Sequence, residues 1–293
     1  MNKLLLALMI AALPAAVPAH AQKAEDMVEI RGDKPIVLRS DRAYLLFRSN
    51  IGGVSPVFLR IPTDSEMARY EAAKQEAFRK AEPSLVRARE ELLARKAQAG
   101  KAGQSFDKPV PPAPSLENFN FVYEGIKNAQ TVDIGRALEK SGDQRTLLVE
   151  AIPGNYVMYG LGFGEIFQTC LCLGTVSFPA AVGKITDMGT VLIGPAAGKS
   201  DVPELAGETG FGPSMNGHLV TWAAAIRPVS PSTPIPTLLA SKPIVPAAYR
   251  ATGKFVAGFS FAVNRLAPIP GVLGYDRGDV IDLVSNKVAE NQY

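Results

Sequence analysis

The chain is predicted to be mainly β: an antiparallel β-sandwich, of jelly-roll or transthyretin-like type, with one long kinked amphipathic helix inserted between strands. Three observations carry this. Six or more short β-rich runs are separated by Gly and Pro turns, without the intervening helices that parallel strands would need. Only one long stretch, Asp64 to Gln98, keeps a 3.6-residue period without a break. The composition, 47% apolar and 20% charged over 293 residues, supplies side chains for a sizeable core.

The first 21 residues carry Lys3, an apolar run from Leu4 to Ala12, Pro14 and Pro18, and Ala19-His20-Ala21 before Gln22. This is the pattern of a secretory signal peptide cut after Ala21, and it predicts a periplasmic or secreted chain from Gln22 onward. No cysteine lies near the cut, so a lipid anchor is not expected. No later stretch of 18 apolar residues escapes charge, Pro or Gly, so no further membrane span is expected. Tyr293 is an aromatic end, as in outer-membrane barrels, but Glu290-Asn291-Gln292 lacks the alternating apolar face of a barrel strand.

Residues 22–293 read as one domain with an insertion, 62–117, and a Pro-rich, loosely structured part, 228–293. Tyr44 to Arg48 and Val57 to Ile61 predict a half-buried hairpin turning at Ser49–Gly53, with Val57, Leu59 and Ile61 on one face and Arg60 pointing away. At Pro62-Thr63-Asp64 the period changes. Thr63 or Asp64 is the expected N-cap, with Glu66 completing a capping box. Met67, Tyr70, Ala77, Phe78, Ala81, Leu85, Ala88 and Leu92 form the apolar stripe, and Pro83 projects on the opposite side, where a kink is tolerated. Such a helix is about 52 Å long, more than a compact domain of this size is wide, so it should project or wrap. Gly100 to Leu116 contains Lys108-Pro109-Val110-Pro111-Pro112-Ala113-Pro114. In polyproline geometry this segment spans about 53 Å, enough to return antiparallel to the helix.

Strands are then expected at Phe119 to Tyr123, Leu147 to Ile152, Tyr156 to Leu161, Thr169 to Phe178, Thr190 to Ile193, Leu219 to Arg227 and Phe255 to Val263. Pro228 to Pro246 holds six prolines and should barely join a sheet interior. Asp279 to Glu290 is expected to be a closing helix capped by Asp279.

Within this region Pro153-Gly154-Asn155-Tyr156-Val157-Met158, then Val176-Ser177-Phe178, then Gly183-Lys184-Ile185-Thr186-Asp187-Met188-Gly189 resembles exported bacterial β-sandwich proteins of unknown function. The pattern is a Pro-Gly-x-Tyr strand entry, a later Phe strand and a Gly-x-Ile-x-x-x-Gly turn, over about residues 145–195. The resemblance implies a sandwich and brings no catalytic or binding residue.

Chemistry is constrained by what the chain contains. Of two histidines, His20 leaves with the signal and His218 remains, so zinc sites built on two or more histidines are excluded. His218 reads as a turn or strand-edge imidazole, and any histidine-based triad would have to use it. Cys170 and Cys172 have three readings: buried core residues, a strained or redox disulfide, or a copper(I) pair completed by Met158 or Met188. Ser105-Phe106-Asp107-Lys108 matches S-x-x-K but sits in a linker, and Asp276, Asp279 and Asp282 lack calcium-loop spacing and read as caps and solvated carboxylates. Trp222 and the Tyr and Phe residues read as core or as a sugar-stacking platform. With 31 basic and 28 acidic residues the net charge of +3 is too weak and dispersed for nucleic acid. No cofactor is expected. The function expected is that of an exported envelope protein that binds or assembles, without catalysis, through the helix Asp64–Gln98, to an envelope protein or a second copy. Copper or thiol handling at Cys170/Cys172, or an enzyme with a carboxylate site not identified by sequence, are the alternatives.

Overall fold

The computed structural model describes residues 27–50, 55–123, 125, 129–131, 137–163, 167–170, 174–195, 202–205, 214–215, 218–219, 222–253 and 266–290. In chain order the elements are β1 (Val28–Ile30), β2 (Ala43–Ser49), β3 (Ser55–Arg60), α1 (Asp64–Lys101), β4 (Ala129–Thr131), β5 (Glu139–Ser141), β6 (Gln144–Ala151), β7 (Gly154–Phe163), β8 (Phe167–Cys170), β9 (Thr175–Ala180) and β10 (Ile185–Pro195). They continue with β11 (Ser214–Met215), β12 (His218–Leu219), β13 (Trp222–Arg227), β14 (Ile244–Pro246), β15 (Arg250–Thr252), β16 (Leu273–Asp276), β17 (Asp279–Asp282) and β18 (Lys287–Val288). Short 3-10 turns lie at Pro203–Leu205 and Thr237–Leu239.

Two sheets dominate. The first has the order β1-β6-β2-β10-β13, with β5 beside β6 and β14 beside β10; the second has the order β15-β9-β7-β3-β4, with β8 beside β7. Alternate side chains of both enter one core. Ala43, Leu45 and Phe47 of β2, Leu147, Val149 and Ala151 of β6, and Val191 and Ile193 of β10 meet Phe58 of β3, Tyr156 and Met158 of β7, and Val176, Phe178 and Ala180 of β9. Phe47 and Phe58 touch edge to face across the layer, with ring centroids 5.7 Å apart.

The other face of the first sheet is covered as well. Tyr44, Leu46, Leu148 and Ile185 pack against Ile36, Leu138 and Leu239, while Leu192, Ala223 and Ala225 pack against Leu205. All seven residues of β2 are therefore buried, the environment in which parallel pairing is at home. β2 runs parallel to β10, as does β14, while β1/β6, β2/β6, β5/β6 and β10/β13 are antiparallel. The expectation of antiparallel pairing throughout is thus corrected for the first sheet; the second is antiparallel.

The double burial of β2 also overturns the expected hairpin. β2 and β3 do not pair; they belong to different sheets, because a strand sandwiched between two cores cannot also be one arm of a half-exposed ribbon. Within β3 the register shifts between Val57 and Phe58, so Phe58 reaches the core and Arg60, expected to point outward, is 6% exposed.

Three further expectations change. Phe119, Phe121 and Tyr123 form no strand; their rings pack on α1. The segment Asp279–Glu290 is not a helix but the strands β17 and β18, joined by a turn in which Asn286 has φ of 54°. The spacing of Val280, Val284 and Val288 imitated a helical stripe, yet only Val280 is buried, while Val284 and Val288 are exposed. The Pro-rich stretch reaches a sheet only at its edge: β14 lies along the start of β10, where a proline costs no ladder bond. Gly189 is not in a turn but in a bulge of β10, between Asp187 and Thr190, with φ of 78°. There its backbone N–H donates to Asp187 Oδ1 at 2.9 Å, and Arg48 grips the same carboxylate from β2 at 2.8 and 3.2 Å. The expected strand Phe255–Val263 lies outside the described residues.

Candidate functional site

β3 and β4 are antiparallel neighbours, with Leu59 opposite Ala129. Residues 61–128 are therefore the loop of a β-ribbon, and this loop holds the one α-helix among the described residues. Its root is built tightly. Thr63 is the N-cap: its Oγ1 accepts from the Glu66 backbone N–H at 3.3 Å, and Glu66 Oε2 accepts from the Thr63 backbone N–H at 2.7 Å, completing a capping box. Arg60, the last residue of β3, donates to both oxygens of Glu66, at 2.8 and 2.6 Å. The two side chains are only 7% and 11% exposed. The Arg60 guanidinium, together with the Thr63 bonds, holds the Glu66 carboxyl at a pKa of about 2 against desolvation, which acts the other way. A planar fork on a planar carboxylate fixes direction as well as distance, so the helix leaves the sheet at a set angle.

From this root α1 runs 38 residues, about 57 Å. It passes through Pro83, which is exposed, and ends where the Ala102 backbone N–H reaches the Gln98 and Ala99 carbonyls. The chain then turns at Gly103, φ 67°, and comes back along the helix. Arg89 Nε donates to Pro111 O at 3.1 Å; Phe78 meets Phe119 at 5.5 Å between centroids; Tyr70 meets Phe121 at 5.8 Å and Tyr123 at 5.7 Å. Helix numbers fall as return numbers rise, so the two are antiparallel. Phe119, Phe121 and Tyr123 also stack on each other. Prolines suit the return strand because an extended polyproline backbone needs no sheet partner.

The arm is thus a two-layer hairpin with a small aromatic core at its base. It thins outward. Only Glu66 of α1 is fully buried, and beyond the aromatic rings Leu85, Val86 and Leu93 remain 37%, 37% and 39% exposed. Among the described residues no helix is long and apolar enough to cross a membrane.

The other candidates separate. Cys170 ends β8 opposite Gly160 of β7, while Cys172 lies outside the described residues. His218 begins the two-residue strand β12 and pairs with Met215; Trp222 begins β13 opposite Pro195. Ser105 and Lys108 sit exposed on the return segment. Asp276 and Asp279 are exposed, but Asp282 is not the solvated carboxylate expected: it is 5% exposed and is gripped by Arg250 of β15 and by Ser285 Oγ at 2.6 Å, which holds its pKa at about 2. That pair ties the three-stranded sheet β16-β17-β18 to the second sheet. Among the described residues no group of three or more His, Cys, Asp or Glu is arranged to hold a metal ion.

Sequence reasoning found the capping box but missed what Glu66 does with Arg60. Six residues separate the pair across a strand-to-helix corner, a spacing no single-element periodicity reports. The chain matches no protein family, no curated protein and no solved structure. Its fold and site describe a mainly β body carrying a rigidly rooted helical arm.

Proposed function

We propose that this protein is an exported, non-catalytic envelope component that binds or assembles through the arm. One observation carries the reading: a helix about 57 Å long, locked to the body by a buried Arg60–Glu66 pair, ends in apolar side chains that the rest of the described chain leaves open. Ordering that length of chain costs backbone entropy which a body with its own two-layer core does not need to spend on folding. The body is read as a β-sandwich, supported by the shared core of the two sheets and by the Pro-Gly-x-Tyr resemblance around Tyr156. Export rests on the signal pattern of residues 1–21.

The test is site-specific photo-crosslinking in the producing cell. Probes at Val86 and Leu93 should capture a protein, whether another copy or an envelope component, while a probe at Met67, half-buried near the root, should not. Capture at neither distal site would end the docking reading. The same preparation, analysed intact, should have the mass of Gln22–Tyr293; an uncut chain would end the export reading. Stoichiometric copper in that preparation would turn the argument to Cys170 and Cys172 instead.

A further inference from the structure

We infer that the open side of the arm pairs with the same side of a second copy, helix antiparallel to helix, about a two-fold axis between Leu85 and Val86. This rests on the docking reading and names its partner.

The open side can be located. At 100° per residue Tyr70, Phe78, Ala81, Leu85 and Leu92 share the stripe that faces the return segment, and Glu82, Val86, Arg89 and Leu93 fall in an adjoining arc of about 60°. The charges on this arc are unspent. Glu76 on another side is paired with Arg79 and Lys80 within the helix, whereas Glu82 has no partner among the described residues and Arg89 uses only its Nε, on Pro111 O.

Charge complementarity then sets the register. With Leu85 of one copy facing Val86 of the other, Glu82 faces Arg89 and Arg89 faces Glu82; Phe78 faces Leu93 and Gln75 faces Lys96. No residue of the open arc meets a like charge in this register. A slip of one residue in either direction separates Glu82 from Arg89, setting Ala81 or Pro83 opposite Arg89 instead. Opposite charges across helices favour the register that pairs them.

Arm geometry permits the arrangement. Asp64 lies about 32 Å from the proposed axis and Lys101 about 23 Å. Each tip therefore stops about 9 Å short of the start of the other helix, and neither needs to enter the other body.

Sedimentation equilibrium of the chain from Gln22, from micromolar to near-millimolar concentration, tests the pairing. A dimer is expected. Glu82→Arg and Arg89→Glu each place like charges opposite one another twice, and each should weaken dimerisation about tenfold or more. The double exchange recreates both pairs in reversed order and should return the constant to within about threefold. Because Arg89→Glu and the double variant both lose the Pro111 bond, recovery isolates the contact between copies. Far-ultraviolet circular dichroism should be unchanged in all three. Independently, with Cys170 and Cys172 replaced by Ala, Val86→Cys should oxidise to a linked dimer. Gln98→Cys should not, since its two copies would lie about 37 Å apart. A monomer at every concentration, a double exchange that restores nothing, or linkage at Gln98 rather than Val86 would each overturn the pairing. A monomer whose Val86 probe still captures another envelope protein would overturn the pairing and leave the docking reading standing. A monomer that captures nothing would remove both.

Discussion

Replacing Glu66 by Gln keeps the shape of the side chain and removes its charge, so it isolates what the pair with Arg60 contributes. In the native state the carboxyl has a pKa of about 2, against an ordinary 4.5. A fall of that size corresponds to about 3 kcal/mol of differential stability, and the desolvation that opposes the pair, with residual solvent screening, reduces it to about 2 kcal/mol. The sign follows from the depressed native pKa. The contribution is fully present above about pH 4.5 and is lost as pH falls toward 2. Urea unfolding followed by circular dichroism at 222 nm should therefore show Glu66→Gln less stable by about 2 kcal/mol at pH 7. The gap should hold to about pH 5 and narrow steadily by pH 3, as the unfolded carboxyl, with its ordinary pKa near 4.5, takes up a proton that the native one still resists. Equal stability at pH 7, or a gap that does not change between pH 7 and pH 3, would refute the assignment of the root to this ion pair.

Three further outcomes are expected. Gly189→Ala should destabilise by about 3 kcal/mol or more and lower the melting temperature sharply, since the added Cβ would sit 2.1 Å from the Arg227 carbonyl at a φ of 78°. Asp282→Asn should cost about 1 kcal/mol at pH 7 in thermal unfolding, with the loss fading below about pH 4 because the native pKa of about 2 lies under the ordinary 3.8. Exchanging residues 62–127 for a short Asn-Gly-containing turn, with Arg60→Met to remove the orphaned charge, should reduce helical signal and leave one cooperative β transition, because β3 and β4 already lie side by side; a molten product would show that the arm is part of the body's core.

Much of the local structure was legible in the residues themselves. The helix from Asp64 declares itself because its period, its Thr63–Glu66 box and its lack of Gly before Gly100 all act within one element. The β runs of residues 144–195 are likewise local, written in alternating apolar residues and Gly or Pro corners. What the sequence could not state was which strands become neighbours. β2 and β3 look like a hairpin from their own residues, and only the covering of β2 on both faces, by Phe58 and Met158 on one side and Ile36 and Leu239 on the other, separates them into two sheets. The same limit hid the C-terminal strands. Valines at 280, 284 and 288 fit a helical stripe, and the choice of strand came from the anchoring of Asp282 by Arg250, 32 residues away in the chain. It also hid the root of the arm, where Arg60 ends one element and Glu66 begins the next. Periodicity reports the environment of a single element; pairing, register and buried charge are decided by contacts between elements, whose loop-closure cost is repaid only when the whole core assembles.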